Sequence, residues 1–237
     1  MKEKDFKKLQ GENYSLLAKQ FDKLQKRDNR NHLNKIKAIS DFLRIEKKDN
    51  ILEIGVGTGI HAKHLFDLNK VSFFYTGVDL SDSMLRQAKD KLKGHVNVSL
   101  KRMDGENLKF SDKTFDKVYI SGSLHHFFDP KRGIFELLRV LKDNGKFCIM
   151  EPNYFFPTNF YASNTIKSER NMRLMRKENF NVWMKQANVF NYKIYNFGYT
   201  PPFPKFLSFV FNVLDIFLNK IPILKNCSIM LLVCGEK

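Results

Sequence analysis

Short apolar runs alternate along the middle of the chain with stretches in which apolar residues return every three or four positions. The runs are Ile51 to Ile54, Val71 to Val78, Val96 to Leu100, Phe115 to Ile120 and Lys146 to Met150. Apolar runs of this length read as buried strands of a parallel sheet, and the three-to-four spacing reads as amphipathic helix. After the first run, Ile60, His64 and Leu65 fall on one helical face. After the second, Ser81 or Asp82 opens a helix reading M-L-R-Q-A-K-D-K-L. After the fourth, Asp129 suits a cap, Pro130 the first turn, and Ile134, Leu137, Leu138 and Leu141 one face. Asn144-Gly145 then turns the chain into the fifth strand, which ends at Glu151-Pro152. Strands alternating with helices predict an α/β fold with a parallel sheet and right-handed crossovers.

The flanks are less regular. Residues 1–48 read as two helices. One has a face of Tyr14, Leu16, Leu17, Phe21 and Leu24, the other of Leu33, Ile36, Ile39, Phe42 and Leu43, with Arg27 to Asn31 between them. Tyr14 and His32 are the residues there that could reach a site. Residues 165–187 predict a helix carrying Met172, Met175, Phe180 and Trp183. Residues 189–197 alternate like a sixth strand, and 227–234 read as the last one.

Asn50 to Gly59, N-I-L-E-I-G-V-G-T-G, organises the rest. The strand runs into three glycines at every second position and then into a helix, whose free N–H groups can meet a polar or anionic ligand. The spacing is G-x-G-x-G, not the G-x-G-x-x-G of a dinucleotide turn. Glu53 would repel a pyrophosphate but suits a ligand with positive charge. Asp79, 20 residues after Gly59, ends the second strand, where a carboxylate can accept both ribose hydroxyls. Gly55, Asp79, Asp104, Ser121, His126 and Glu151 all follow C-terminal strand ends, where ligands of such sheets bind.

These stretches, together with G-V-D-L-S-D-S-M-L, R-M-D-G-E-N-L-K-F-S-D-K-T-F-D-K-V, S-L-H-H-F-F-D-P and R-V-L-K-D-N-G-K, resemble the class I S-adenosylmethionine-dependent methyltransferases of the small-molecule, type 11-like branch. The resemblance covers roughly residues 48 to 151. It implies a Rossmann-like, seven-stranded, mostly parallel sheet with helices on both faces and the last strand antiparallel. It implies S-adenosyl-L-methionine as cofactor and S-adenosyl-L-homocysteine as product. Glu53, Gly55, Gly57 and Gly59 would hold the methionine moiety and Asp79 the ribose. Leu80 and Met84 would lie against the adenine, Asp104 and Gly105 at its edge, and Ser121 along the cofactor. In O-methyltransferases that the chain resembles, a histidine at the L-H-H position acts as base, supported by an acid after the fifth strand. That implies catalytic roles for His126, His125 and Glu151; the alternative is that both histidines cap and pack the turn. The implied layout is one methyltransferase domain: 1–48 a helical cap, 49–151 the cofactor-binding core, and 152–237 a C-terminal part with an insert at 198–226.

Composition narrows the reading. The chain of 237 residues is 43% hydrophobic, too apolar for disorder. Its net charge of +16 is spread along the chain without a block of like charges, so DNA and RNA are not the expected partners. Cys148, Cys227 and Cys234 are an odd set with no C-x-x-C, so neither a disulfide framework nor a metal site is indicated, and the three read as core thiols. Met1 to Lys8 is charged and lacks a signal-peptide core, so a cytoplasmic protein is expected. Within the insert, Phe206 to Leu218 is apolar on nearly all sides but too short to span a bilayer, which takes roughly 20 residues. It reads as buried core, as a pocket lid, or as a peripheral membrane contact through 203–224. The functional expectation is methylation of a small or lipid-linked molecule at oxygen. The alternative is a non-catalytic binding or assembly protein that keeps the fold.

Overall fold

The computed structural model describes residues 2–12, 14, 29–198 and 228–237. Helix α1 covers residues 3–12. Then follow α2 (Asn29–Leu43), β1 (Asn50–Ile54), α3 (Ile60–Leu68), β2 (Phe74–Asp79), α4 (Asp82–Lys91), β3 (Val98–Arg102) and β4 (Phe115–Ser121). A 3-10 turn (Leu124–His126) leads to α5 (Pro130–Val140), β5 (Leu141–Pro152), α6 (Pro157–Thr165), a second 3-10 segment (Lys167–Leu174), α7 (Lys177–Gln186), β6 (Tyr192–Phe197) and β7 (Met230–Glu236).

The sheet has the order β3-β2-β1-β4-β5-β7-β6. β3, β2, β1, β4 and β5 pair in parallel, and β7 is antiparallel to both β5 and β6. This is the expected doubly covered sheet. Alternate residues of each strand enter opposite faces. Leu52, Ile54, Val118 and Ile120 pack beneath α5 and α7. Ile51, Tyr75, Tyr119, Cys148 and Met150 pack beneath α2, α3 and α4. Both faces are thus buried, which is why the strands read as continuous apolar runs. The chain reverses its strand order between β1 and β4, and a crevice opens there at the strands' carboxyl ends.

Local chemistry sets most boundaries. Ser81 accepts a hydrogen bond from the Met84 N–H and caps α4; Asp129 accepts from the N–H groups of Lys131 and Arg132 and caps α5, with Pro130 in its first turn. β2 begins three residues later than the sequence predicts, because its pairing with β1 starts only at Phe74, opposite Asn50. β3 begins at Val98, since Asn97 turns through a φ of 62° and Val96 is solvent-facing. β5 starts at Leu141, opposite Phe115, so the Asn144-Gly145 turn is a bulge inside the strand and does not precede it. The long helix expected over 165–187 is broken. Asn171 turns inward to donate to the Phe127 carbonyl, and Met175 enters the core, before α7 starts at Lys177.

Ile36, Ile39 and Leu43 of α2 are fully buried, as their spacing predicts. Cys148 and Cys234 are buried free thiols facing one another across β5 and β7. The ends of β5 and β6 share one edge: Ile229 N–H donates to the Gly198 carbonyl and Asn153 N–H to the Ile229 carbonyl. The segment after Gly198 therefore leaves from the crevice side. Its apolar run, like Leu16, Leu17, Phe21, Leu24 and Cys227, lies outside the described residues. Among the described residues no helix is long and apolar enough to cross a membrane.

Candidate active site

The loop after β1 needs its glycines. Gly55, Gly57 and Gly59 have φ of 79°, 53° and 77°, a region most side chains avoid. A Cβ on Gly55 would stand 2.3 Å from Ser123 Oγ, whereas one on Gly57 would meet nothing within 4 Å. Gly55 is thus closed by packing, and Gly57 faces open space. The Gly57 N–H donates to Asp79 Oδ2 and the Ser81 N–H to Asp79 Oδ1, each at 2.9 Å. One carboxylate thereby ties the glycine loop to the start of α4 and keeps lone pairs for a ligand. Burial raises its pKa. Leu80 and Ser81 line a cavity of about 970 Å³ together with Lys7, Arg86 and Arg102, while Met84 is buried.

Glu53 is fully buried. The hydroxyls of Tyr75 and Tyr119 both donate to its Oε2, the latter at 2.7 Å. Its Oε1 has no hydrogen-bond partner, and His61 Nδ1 stands 3.9 Å away. Burial pushes the carboxyl up to about 8, against the pull of the two tyrosines. His61 lies 2.9 Å from His32, so α2 does reach this corner, one ring removed from Glu53.

Asp104 accepts from the Glu106 N–H at 2.9 Å and from Lys7 Nζ at 2.7 Å. Lys7 also pairs with Glu106 at 3.1 Å and with Glu3. Gly105 lies under the Phe127 ring, where a Cβ would come within 2.5 Å. Helix α1 is therefore fastened across the crevice. The helical cap expected over 1–48 names none of these contacts; the i, i+4 pair Glu3–Lys7 is their one local signal.

Beyond β4 the site changes character. Glu151, fully buried, accepts from the N–H groups of Ser123 and Leu124 and meets His125 Nδ1 at 2.5 Å. On its other side His125 Nε2 lies 3.3 Å from Glu169. Burial works against the His125 imidazolium, but Glu151 and Glu169 overcome it and hold its pKa up to about 9. His126 Nε2 instead shares a 2.5 Å hydrogen bond with the Tyr14 hydroxyl. Burial, then the adjacent His125 charge, lowers His126 to about 3, and burial raises Tyr14, so both are neutral. The acid after the fifth strand thus meets His125 and not His126. Tyr14, one of the two residues of the N-terminal helices expected to reach a site, and Glu169, which no local signal announces, complete the cluster.

Four buried side-chain polar atoms among the described residues lack a hydrogen-bond partner: Gln10 Oε1, Glu53 Oε1, Ser121 Oγ and His126 Nδ1. Buried polar atoms are nearly always paired. All four belong to this end of the molecule: α1, the end of β1, the end of β4 and the turn after it. The crevice is built to receive polar groups, one of them cationic.

A glycine loop after β1 and an acid closing β2, on a seven-stranded sheet with β7 antiparallel, define the class I methyltransferase fold. Residues 52–149 match the family model described as Methyltransferase domain. A demethylmenaquinone methyltransferase of Corynebacterium kroppenstedtii is 34% identical over 103 residues, covering 44% of this chain and 42% of that protein. A ubiquinone/menaquinone biosynthesis C-methyltransferase of Geobacter sulfurreducens is 31% identical over 127 residues, covering 52% and 48%. The chain thus spans less than half the length of either relative. A crystal structure of an S-adenosylmethionine-dependent methyltransferase from Thermotoga maritima superposes with a TM-score of 0.70, at 17% identity, over 96% of this chain and 99% of that one.

Proposed function

We propose that this chain is an S-adenosylmethionine-dependent methyltransferase acting on a small, hydroxyl-bearing aromatic molecule. The observation that carries the reading is the set of unpartnered buried polar atoms, above all Glu53 Oε1. A carboxyl held near 8 by burial gains from any cation brought to its free oxygen. That chemistry suits a sulfonium and an ammonium and argues against a nicotinamide dinucleotide, as does the G-x-G-x-G spacing. When bound, the cofactor supplies a methyl group activated on a sulfonium. Glu53, Gly55, Gly57 and Gly59 would hold its methionine part and Asp79 its ribose. Leu80, Met84, Asp104 and Gly105 fall on the adenine side, and Ser121 on the side of the transferred group.

Tyr14 and His126 sit where the acceptor would enter. As a neutral hydrogen-bonded pair they can relay a hydroxyl proton, which would pass to the Tyr14 oxygen as the Tyr14 proton passes to His126 Nε2. His125 and Glu151 then act as positioning residues. Glu151 caps the turn and fixes the His125 ring, against which His126 packs at a centroid separation of 3.8 Å. Removing the proton of a ring hydroxyl makes both its oxygen and the adjacent ring carbon nucleophilic. The expected oxygen acceptor finds no support among the relatives, and the name of the Geobacter protein favours carbon. Their quinone-type substrates, with the apolar run at 206–218, support an acceptor with a hydrophobic portion. Peripheral membrane contact through 203–224 would serve the same acceptor.

Calorimetry with S-adenosylhomocysteine, followed by turnover of reduced demethylmenaquinone with isotopically labelled cofactor, tests the reading. Tight 1:1 product binding and a labelled ring methyl, read by NMR, are expected. A labelled methoxy group would move the acceptor atom to oxygen. Preference for a nicotinamide dinucleotide would overturn the reading.

A further inference from the structure

The geometry points to a divalent transition-metal site formed by His125, His126 and Glu169. One ring nitrogen of each histidine and one Glu169 oxygen lie within 4.8 Å of one another. His125 Nε2 and Glu169 Oε2 are already 3.3 Å apart, close to the roughly 3.4 Å that separates two ligands of a tetrahedral ion at about 2.1 Å. From the 4.8 Å bound, the remaining approach is a side-chain adjustment of at most about 1.4 Å, within reach of one rotamer shift.

Three features suit ligation. His125 is held by its far nitrogen: Nδ1 lies on the buried Glu151 carboxylate, which turns Nε2 toward Glu169, and the ion would displace the Nε2 proton to solvent. A carboxylate behind a histidine is the usual support of a metal-bound imidazole. Glu169 is held likewise, Ser168 Oγ donating to its Oε1 so that Oε2 is left for His125. His126 Nδ1 is buried with no partner while Nε2 is engaged by Tyr14. The charges agree. Two carboxylates converge here, and among the described residues neither pairs with a lysine or arginine.

Two imidazoles and one carboxylate favour zinc, or iron(II), cobalt(II) or nickel(II), over magnesium or calcium. Three protein ligands leave a fourth position of a tetrahedral ion for a small ligand. A hydroxyl oxygen of the acceptor fits that position, and the ion would lower its pKa and fix the ring. This rests on the proposed placement of the acceptor, although metal binding can fail while that placement stands. The sequence gives no warning of such a site, because Glu169 lies far along the chain from the two histidines.

The test is calorimetric titration of the chelator-treated full chain with zinc chloride, and cobalt(II) titration followed by visible absorption. One ion per chain and an intense cobalt band of low-symmetry coordination are expected. Glu169→Gln and His126→Gln should each weaken binding tenfold or more, whereas His95→Gln, outside the cluster, should leave it unchanged. Glu169 is partly exposed, so its variant should fold and decides the matter alone if His126→Gln does not. Tyr14→Phe separates the two readings: it should lower turnover and leave zinc affinity intact. Wild-type affinity retained in Glu169→Gln, or binding lost equally in His95→Gln, would overturn the metal site.

Discussion

The crevice has two walls built on different principles. The wall from β1, β2 and β3 is made of backbone and short-range contacts: Gly57 N–H and Ser81 N–H meet in Asp79, and the Glu106 N–H returns to Asp104. The wall from β4 and β5 is made of side chains brought from far apart. Tyr14 meets His126, Glu151 meets His125, and Glu169 closes the group. The first wall offers fixed donors and acceptors, and the second offers groups that can change charge. One suits a constant ligand, the other an acceptor and a proton in transit. The two walls should therefore fail differently when altered.

The largest effect is expected on the first wall. Asp79→Ala removes the acceptor that orders Gly57 and Ser81, and with it the expected ribose ligand. Affinity for S-adenosylhomocysteine should fall by a factor of about 100 or more, as for a lost charged hydrogen-bonding partner worth roughly 3 kcal/mol. Gly57→Val, which sets a branched side chain at a φ of 53° and fills the open space before the loop, should do the same. Calorimetry on each variant is the check, and unchanged affinity would place the cofactor elsewhere. The second wall should answer in stability. Glu151→Ala leaves the Ser123 and Leu124 N–H groups and a charged, buried His125 without their acceptor. Breaking a buried pair costs about 3–5 kcal/mol. At roughly 2–4 °C per kcal/mol for a chain of this size, Tm should drop by about 6–20 °C. A drop of under 2 °C would mean that Glu151 does not hold the turn.

The same contrast explains what the sequence disclosed. Every residue of the first wall lies within a few positions of a strand end, and period, glycine spacing and the acid after β2 are all local. Ser81 and Asp129 announced their helix starts because capping is a short-range hydrogen bond. The second wall depends on contacts of long sequence separation. His125 and His126 are adjacent, and only the fold decides that one turns to Glu151 and the other to Tyr14. Local rules failed at β5 as well. Asn144-Gly145 is a turn signal, and Asn144 does adopt a φ of 59°, but pairing with Phe115 had already begun at Leu141. The Met172, Met175, Phe180 and Trp183 series could not show a helix break, because its apolar spacing survives the break.

A smaller effect separates the two walls in kinetics. Tyr14→Phe keeps the ring against His126 and removes only the hydroxyl. Turnover should fall about 10- to 100-fold, the lower range of general acid–base contributions, while affinity for S-adenosylhomocysteine stays within about twofold. Equal losses in both would assign Tyr14 to the cofactor wall.

The last effect is read against pH and concerns Glu53, fully buried at the end of β1 in the first wall. Its pKa in the folded chain, about 8, lies above the ordinary value of 4.5 because burial disfavours the carboxylate. The folded state therefore holds a proton that the unfolded chain has already released. The sign follows: the contribution is fully present below about 4.5 and is lost as pH rises toward 8. Glu53→Gln keeps an oxygen for the Tyr75 and Tyr119 hydroxyls and removes the titration. Wild type and variant should melt at similar temperatures near pH 5. Toward pH 8 the variant should become the more stable, the gap in Tm widening as pH rises. It should at the same time bind S-adenosylmethionine more weakly, because no carboxylate can form opposite the cation. Thermal melts from pH 5 to 8.5, with and without cofactor, decide it. Parallel curves would show that Glu53 ionises normally in the fold, and would remove the electrostatic reason for placing a cationic ligand at the end of β1.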